Sequence, residues 1–375
     1  MNSDLKFERN QLMAFSWLLL LTPALRLFPS EASRLAGRGA WLSALVSALP
    51  LALYVFFLTR FMDHRQEDEG MGELIVRSLG GRGGRAVLTL FGLWFGLYAG
   101  FVLRSGAERF LTTVYSNSTP EFFSVVLGTA ALIAALGSPR SMARVAKMVL
   151  PVVLGVMLLV LISALSSVDT SNFLPLSGAD AVPVVLGVVP GVNIIAAVLY
   201  IVCFIEGDTR RRPGRFRAFM IWVILACLML ATIIFDLFGA FGPELTSQLT
   251  RPFFSLVRNM VFFKAVERIE ALVVSLWVFP DFLMVSLLIY LSQFCLRLGW
   301  CESARYRGEK LTDVSGGRWI IWLCGTAAVI CAIFIGPDSA SLSLWSDRVI
   351  PIVNMSFAFL VLPAVFAVGK ISKRL

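Results

Sequence analysis

The sequence predicts an all-α integral membrane protein of about ten transmembrane helices, folded as a single polytopic domain over residues 1–375. Three observations carry this. The chain is 58% hydrophobic and 15% charged, with a mean hydropathy of +0.81, whereas soluble domains are roughly 25% charged. Its apolar residues fall in blocks near the length of about 20 residues that crosses a bilayer core. Lys and Arg are spread unevenly among the connectors, as the positive-inside rule requires of a polytopic protein.

The blocks follow in order. The first, 11–35, contains Thr22-Pro23 near its middle and Pro29 further on. It continues without an Ala-x-Ala site, so no cleavable signal peptide is expected. The second, 40–60, carries Pro50. The third, 86–114, holds Arg104, Glu108 and Arg109 in its later half, and blocks four and five span 121–138 and 146–166. The sixth, 183–207, is interrupted by Gly187, Pro190-Gly191 and Asn193, and the seventh, 217–241, ends near Asp236. From Gly239 to Trp277 seven charged residues alternate with Phe, Leu and Val, a pattern that suits an amphipathic cap, a docking surface or an interfacial anchor. The eighth block, 265–293, opens on Glu267-Arg268-Ile269-Glu270 and has Pro280-Asp281 near its middle. Blocks nine and ten span 318–337 and 345–369. The first repeat is therefore expected over about 11–166 and the second over about 183–337, with the last span following.

With the N-terminus inside, 23 of the 33 basic residues fall in inside segments, from Lys6 and Arg9 through Arg210-Arg211-Arg212 to Lys370, Lys373 and Arg374. The connectors 115–120 and 167–182 have none, while Arg34 and Arg38 oppose the trend locally. Both termini are expected in the cytoplasm. The net charge of +9 is placed to meet anionic headgroups rather than nucleic acid.

Two features point to a binding site. Proline removes a helix donor and clashes with the preceding turn, and broken backbone at membrane depth persists only where protein or a cavity surrounds it. Blocks one and six, the first members of two five-span halves, both carry such interruptions, the sequence pointer to a transporter site. The plain alternative is a proline kink of the kind Pro50 and Pro280 also suggest. The second feature is intramembrane charge, which is costly and so faces the bundle interior and pairs. Arg104 and Glu108 share one helical face and, with Glu267, Arg268 and Glu270, read as structural or gating charges. Arg26 is open to a ligand carboxylate or to a partner such as Glu31. Asp281 is suited to relaying a proton, holding a cation, or pairing with an arginine that pins two helices. A half-helix N-terminus favours a carboxylate, and Phe95 and Tyr98 are candidates to line the cavity.

No His/Asp/Glu metal constellation, Gly-rich phosphate loop or pair of catalytic acids occurs. No enzyme activity, metal or cofactor is expected. Cys203, Cys227, Cys295, Cys301, Cys324 and Cys331 form no CxxC pair, and His64, the one histidine, reads as a surface residue.

Several segments carry a family resemblance. They are Phe241-Gly242-Pro243-Glu244, Arg251-Pro252-Phe253-Phe254-Ser255-Leu256-Val257-Arg258, and Glu267-Arg268-Ile269-Glu270-Ala271 with Trp277. Further segments are Leu103-Arg104 with Glu108 and Thr119-Pro120, Ala36-Gly37 with Ala40-Trp41-Leu42-Ser43, and Asn172-Phe173-Leu174-Pro175-Leu176. In this order they resemble the spore germination permease family, the B subunits of nutrient germinant receptors in endospore-forming bacteria, over nearly the whole length.

The resemblance implies a fold like that of amino acid–polyamine–organocation transporters, the LeuT-like 5+5 inverted repeat with broken helices one and six. It implies a small nutrient ligand, an amino acid first, near the midplane between spans one, three, six and eight. Thr22, Pro23 and Ala24 would form the span-one break, and Gly187, Gly191 and Asn193 the span-six break. Tyr98, Phe95, Arg26 and Asp281 would reach the ligand. It also implies A-type and C-type partner subunits in the inner spore membrane. Many family members carry Gly-Glu within span six, where this chain has Ala196-Ala197, with Glu206 nearer the cytoplasmic end. The missing acid favours a less cationic or more hydrophobic ligand. An active amino-acid or cation symporter is the alternative.

Overall fold

A computed structural model of the protein describes residues 9–66, 69–113, 119–165, 168–174, 177–205, 214–249, 251–259, 269–300, 318–336 and 339–374. Among these the regular structure is entirely helical. Seven stretches are long and apolar enough to cross a bilayer, and Pro120–Ala135 and Trp319–Ile335 are shorter apolar helices. With the helix Arg9–Arg26 they occupy the places of the ten expected blocks.

The first block forms α1 (Arg9–Arg26) and α2 (Phe28–Ala36). The interruption falls at Leu27, beyond the expected Thr22-Pro23-Ala24, which lie inside α1. Proline loosens the turn before it, yet the chain after it still bonds normally: the Leu27 N–H donates to the Pro23 carbonyl at 2.9 Å. A turn at Gly37, whose φ of 51° suits glycine, returns the chain through α3 (Ala40–Val46) and α4 (Ala48–Met62).

The third span, α5 (Met71–Thr113), begins well before the expected residue 86, and Gly80 at φ 77° divides it. The stretch before Gly80 is amphipathic, with Met71, Leu74 and Ile75 buried and Glu73 and Arg77 among them, and the glycine-rich run that begins at Gly80 separates it from the apolar block. Two helices complete the first half: α6 (Pro120–Ala135) and α7 (Pro139–Ala164). The sixth span is α8 (Ala181–Leu186) and α9 (Val188–Ile205), parted at Gly187. Then come α10 (Arg215–Gln248), α11 (Pro252–Asn259), α12 (Ile269–Trp300) and α13 (Arg318–Ile335). The last span is α14 (Ser339–Leu344), α15 (Ile350–Ser356) and α16 (Leu362–Ile371), joined by π-helical turns at Trp345–Val349 and Phe357–Val361.

The interior is built around α9. Of its apolar window 89% is buried, against 28% for α7, so α9 is central and α7 peripheral. The two interrupted spans meet: α1 and α2 both pack on α9, and α2 on α8. α12 packs along α5, and α1 closes against α7 and α12. Outward-facing side chains such as Leu53, Met148 and Phe334 are about three-quarters exposed, as expected where hydrocarbon rather than water surrounds the bundle. At the end that carries the C-terminus, Arg215 pairs with Asp63 at 3.2 Å and the Arg374 side chain lies against Gly80. His64 sits there too, its ring 5.6 Å from that of Phe366.

Candidate functional site

Asp281 lies on α12 directly after Pro280 and is 2% exposed. Its Oδ1 accepts a hydrogen bond from the Thr22 hydroxyl at 2.9 Å, and its Oδ2 pairs with Arg109 Nη2 at 2.7 Å. One carboxylate thus ties α1, α5 and α12 together. Gly106, one turn before Arg109, permits the approach: a Cβ there would stand 3.2 Å from Asp281 Oδ2. Of the three roles open to Asp281 in the sequence, the geometry places it in an ion pair that joins helices. Such a pair is poor evidence for stability in itself, but removing one partner strands a buried charge.

α11 covers this pair. The Phe254 ring lies 5.3 Å from the Arg109 guanidinium carbon, and Phe253 and Phe254 pack on Trp277. Arg251 donates to the Glu108 carbonyl at 3.1 Å and reaches its carboxylate at 3.4 Å. Burial, with Arg109 nearby, pulls the Arg251 guanidinium down to about 10, Glu108 opposing, so it stays a cation at neutral pH. The amphipathic α11 is therefore a cap seated on the bundle. Glu267 and Arg268 lie outside the described residues, and of Glu270 only its place in the first turn of α12 is described.

The expected Arg104–Glu108 contact is present but long, 3.9 Å. The short partner of Arg104 is Glu121 on α6, at 2.8 Å, and Glu108 turns toward Arg251. Glu31 is not the partner of Arg26: it pairs with Arg34 at 2.8 Å. Arg26, in the last turn of α1, lies 4.5 Å over the Phe101 ring. No carboxylate among the described residues comes within ion-pair distance of it.

A second polar node lies on the last span. Asn354 Oδ1 accepts from Trp94 Nε1 at 3.0 Å and from the Tyr200 hydroxyl at 2.8 Å, joining α15 to α5 and α9. Tyr98 stacks on Trp94 with centroids 5.7 Å apart, and Phe95 packs edge-on against Phe204. Phe95 and Tyr98 are thus both core residues beside this node. Sequence reasoning missed Asn354. The available signal was a lone amide between Pro351 and a second proline in an apolar block, and in the structure it stands between two π-helical turns, which mark functional places in helices.

At the span-six break, Ser43 and Ser47 donate to the carbonyls of Val184 and Val188, at 2.8 and 3.3 Å. These serines satisfy backbone groups that a broken helix exposes. A Cβ on Gly187 would stand 2.6 Å from both Ala36 Cβ and Ser43 Oγ, and one on Gly191 2.7 Å from Ser47 Oγ. Gly187→Ala is expected to destabilise by about 1–3 kcal/mol through overpacking, whereas Gly155→Ala, with nothing within 4 Å, is expected to leave thermal stability unchanged or raised. Equal melting temperatures for the two variants in detergent would contradict this. Asn193, six residues beyond the break, is buried, and its Oδ1 has no hydrogen-bond partner among the described residues.

A cavity of about 200 Å³ opens where α1 meets α2. It is lined by Arg26, Glu31, Arg34, Glu108, Arg251 and Asp347, with Ser30, Ser247, Ser343, Ser346, Gln248 and the apolar Leu27, Leu249 and Leu342. Of the residues expected at the ligand, Arg26 lines it. Thr22, Pro23, Ala24, Phe95, Tyr98, Gly187, Gly191, Asn193 and Asp281 do not.

Known proteins resemble this arrangement. A family model described as "Spore germination protein" matches residues 17–297. No curated protein sequence matches the chain. Among solved structures, Mhp1, a nucleobase-cation-symport-1 family transporter in a closed conformation with bromovinylhydantoin bound, superposes with a TM-score of 0.60. The two are 13% identical, and the match covers 98% of this chain and 84% of that one. At that identity the likeness concerns the fold alone.

Proposed function

Because the chain belongs to the spore germination protein family, we propose that it is a ligand-sensing, transporter-like B subunit of a spore nutrient germinant receptor. It binds a small nutrient, an amino acid first, between the interrupted spans and α5 and α12. It works with A-type and C-type subunits in the inner spore membrane, with both termini cytoplasmic. The observation that carries the reading is the Thr22–Asp281–Arg109 node. It joins α1, α12 and α5, so a ligand that displaces any of the three biases the others. The shift cannot exceed the ligand's differential affinity for the two arrangements.

In this reading the ligand meets Thr22, Pro23, Ala24, Arg26, Phe95, Tyr98, Gly187, Gly191, Asn193 and Asp281, and the Asn193 acceptor takes a ligand donor. The charges Arg104, Glu108, Glu267, Arg268 and Glu270 hold or gate the mouth that α11 covers. Deleting the gene is expected to abolish germination toward one nutrient class, and the purified chain reconstituted in proteoliposomes is expected to take up none of it. Uptake driven by a proton or sodium gradient would instead favour an active symporter. That second reading rests on the fold shared with a transporter.

A further inference from the structure

Six charged side chains line the cavity beside Arg26: three guanidinium groups, on Arg26, Arg34 and Arg251, and three carboxylates, on Glu31, Glu108 and Asp347. They balance in number but not in place. Arg251 and Glu108 neutralise each other at 3.4 Å. Glu31 and Asp347 share the single guanidinium of Arg34, at 2.8 and 3.3 Å, so carboxylates outnumber guanidinium groups on that side. Arg26 faces the same space with an aromatic ring beneath it and no carboxylate partner among the described residues, which leaves one positive charge in excess. The cavity is therefore dipolar. At about 200 Å³ it is smaller than the roughly 300–1,000 Å³ of drug-sized pockets.

We propose that this cavity is a capture site for a small zwitterion, which shares Arg26 with the deeper site around Asn193 and Asp281 and adds Glu31 and Asp347. The ligand's anionic group lies on Arg26 and its cationic group on Glu31 and Asp347. A neutral polar molecule of the same size leaves both sides unmatched. A zwitterion matches both, with charge-assisted hydrogen bonds that are roughly twice as strong as neutral ones. Arg26 stands at the last turn of α1 and Glu31 in the first turn of α2. The ligand thus bridges the span-one interruption itself and, through Asp347, reaches the last span. This inference rests on the reading of the protein as a small-ligand sensor and adds where and by what charge pattern the ligand is first held.

The test uses the full chain in lipid nanodiscs and calorimetric titration with the twenty common amino acids, glucose and inosine. The best-binding amino acid is then tried with its amine acetylated and with its carboxyl group amidated. Both blocked forms are expected to bind about tenfold more weakly or worse, the scale of one lost charge-assisted hydrogen bond. Arg26→Gln and Asp347→Asn are expected to weaken the parent amino acid similarly, and Arg26→Lys, which keeps the charge and guards against a mere folding defect, to restore most of the affinity. If the blocked forms or the Arg26→Gln and Asp347→Asn variants match the parent, the capture site is overturned. Loss of binding in Asn193→Leu would then leave the deeper site standing. Binding of glucose or inosine alone overturns the zwitterion while sparing the sensor. Binding of nothing overturns the sensor reading, and the capture site with it.

Discussion

Asp281→Asn is expected to lower the unfolding free energy by about 3–5 kcal/mol, the cost of stranding one charge of a buried pair. The substitution keeps shape and volume, so packing does not confuse the result. An asparagine can still accept from Thr22, but Arg109, 4% exposed, loses the carboxylate it meets at 2.7 Å. Phe254 above the guanidinium offers only a cation–π contact at 5.3 Å, worth about 0.5–2 kcal/mol, too little to compensate. Arg109→Gln should be similarly costly, since it strands the carboxylate. The double variant is expected to be more stable than the sum of the two losses implies, with a coupling of about 0.5–3 kcal/mol. Thermal unfolding in detergent with all four proteins measures this. Additive losses would show that the 2.7 Å contact carries no energy of its own. Germination should fall further in Asp281→Asn than its stability loss explains, because Thr22 and Arg109 would no longer be held by one group.

The architecture was legible because it is written in local terms: hydropathy marks spans, and proline and glycine mark spans one and six as interrupted. Position within those spans was less legible. Pro23 pointed to the middle of block one, yet the interruption came at Leu27, because proline weakens the preceding turn without deciding where the chain next departs from helix. Asp281 and Arg109 each stood out as costly intramembrane charges. That they meet depends on how α5 and α12 pack, and nothing in either segment encodes it. The same applies to Arg104, whose neighbour in sequence, Glu108, is also within reach but whose short contact is to Glu121 on another helix. Ser43 and Ser47 were legible only as small polar residues four apart. Their role depends on a break in a span far along the chain. Glu267 and Arg268, prominent in the sequence, lie outside the described residues.

Asn354→Leu is expected to destabilise by about 1–3 kcal/mol, and the partners of Asn354 allow that loss to be divided. Each buried donor left without an acceptor costs about 1–3 kcal/mol. Interhelical hydrogen bonds within membranes average nearer about 0.6 kcal/mol, because the unfolded chain in the bilayer also finds partners. Two stranded donors, Trp94 Nε1–H and the Tyr200 hydroxyl, therefore give a total toward the middle of those ranges. Tyr200→Phe alone should cost little, since it removes the donor and leaves Asn354 bonded to Trp94. In the Asn354→Leu background the same Tyr200→Phe change should be stabilising, because it deletes a donor that has lost its acceptor. That reversal of sign is a signature that a simple packing defect does not produce. It can be read from melting temperatures, with the Trp94 environment followed by near-ultraviolet circular dichroism. If Tyr200→Phe has the same effect in both backgrounds, the amide is a filler of space. If the sign reverses, Asn354 is the polar link that holds the last span to α5 and to the central α9.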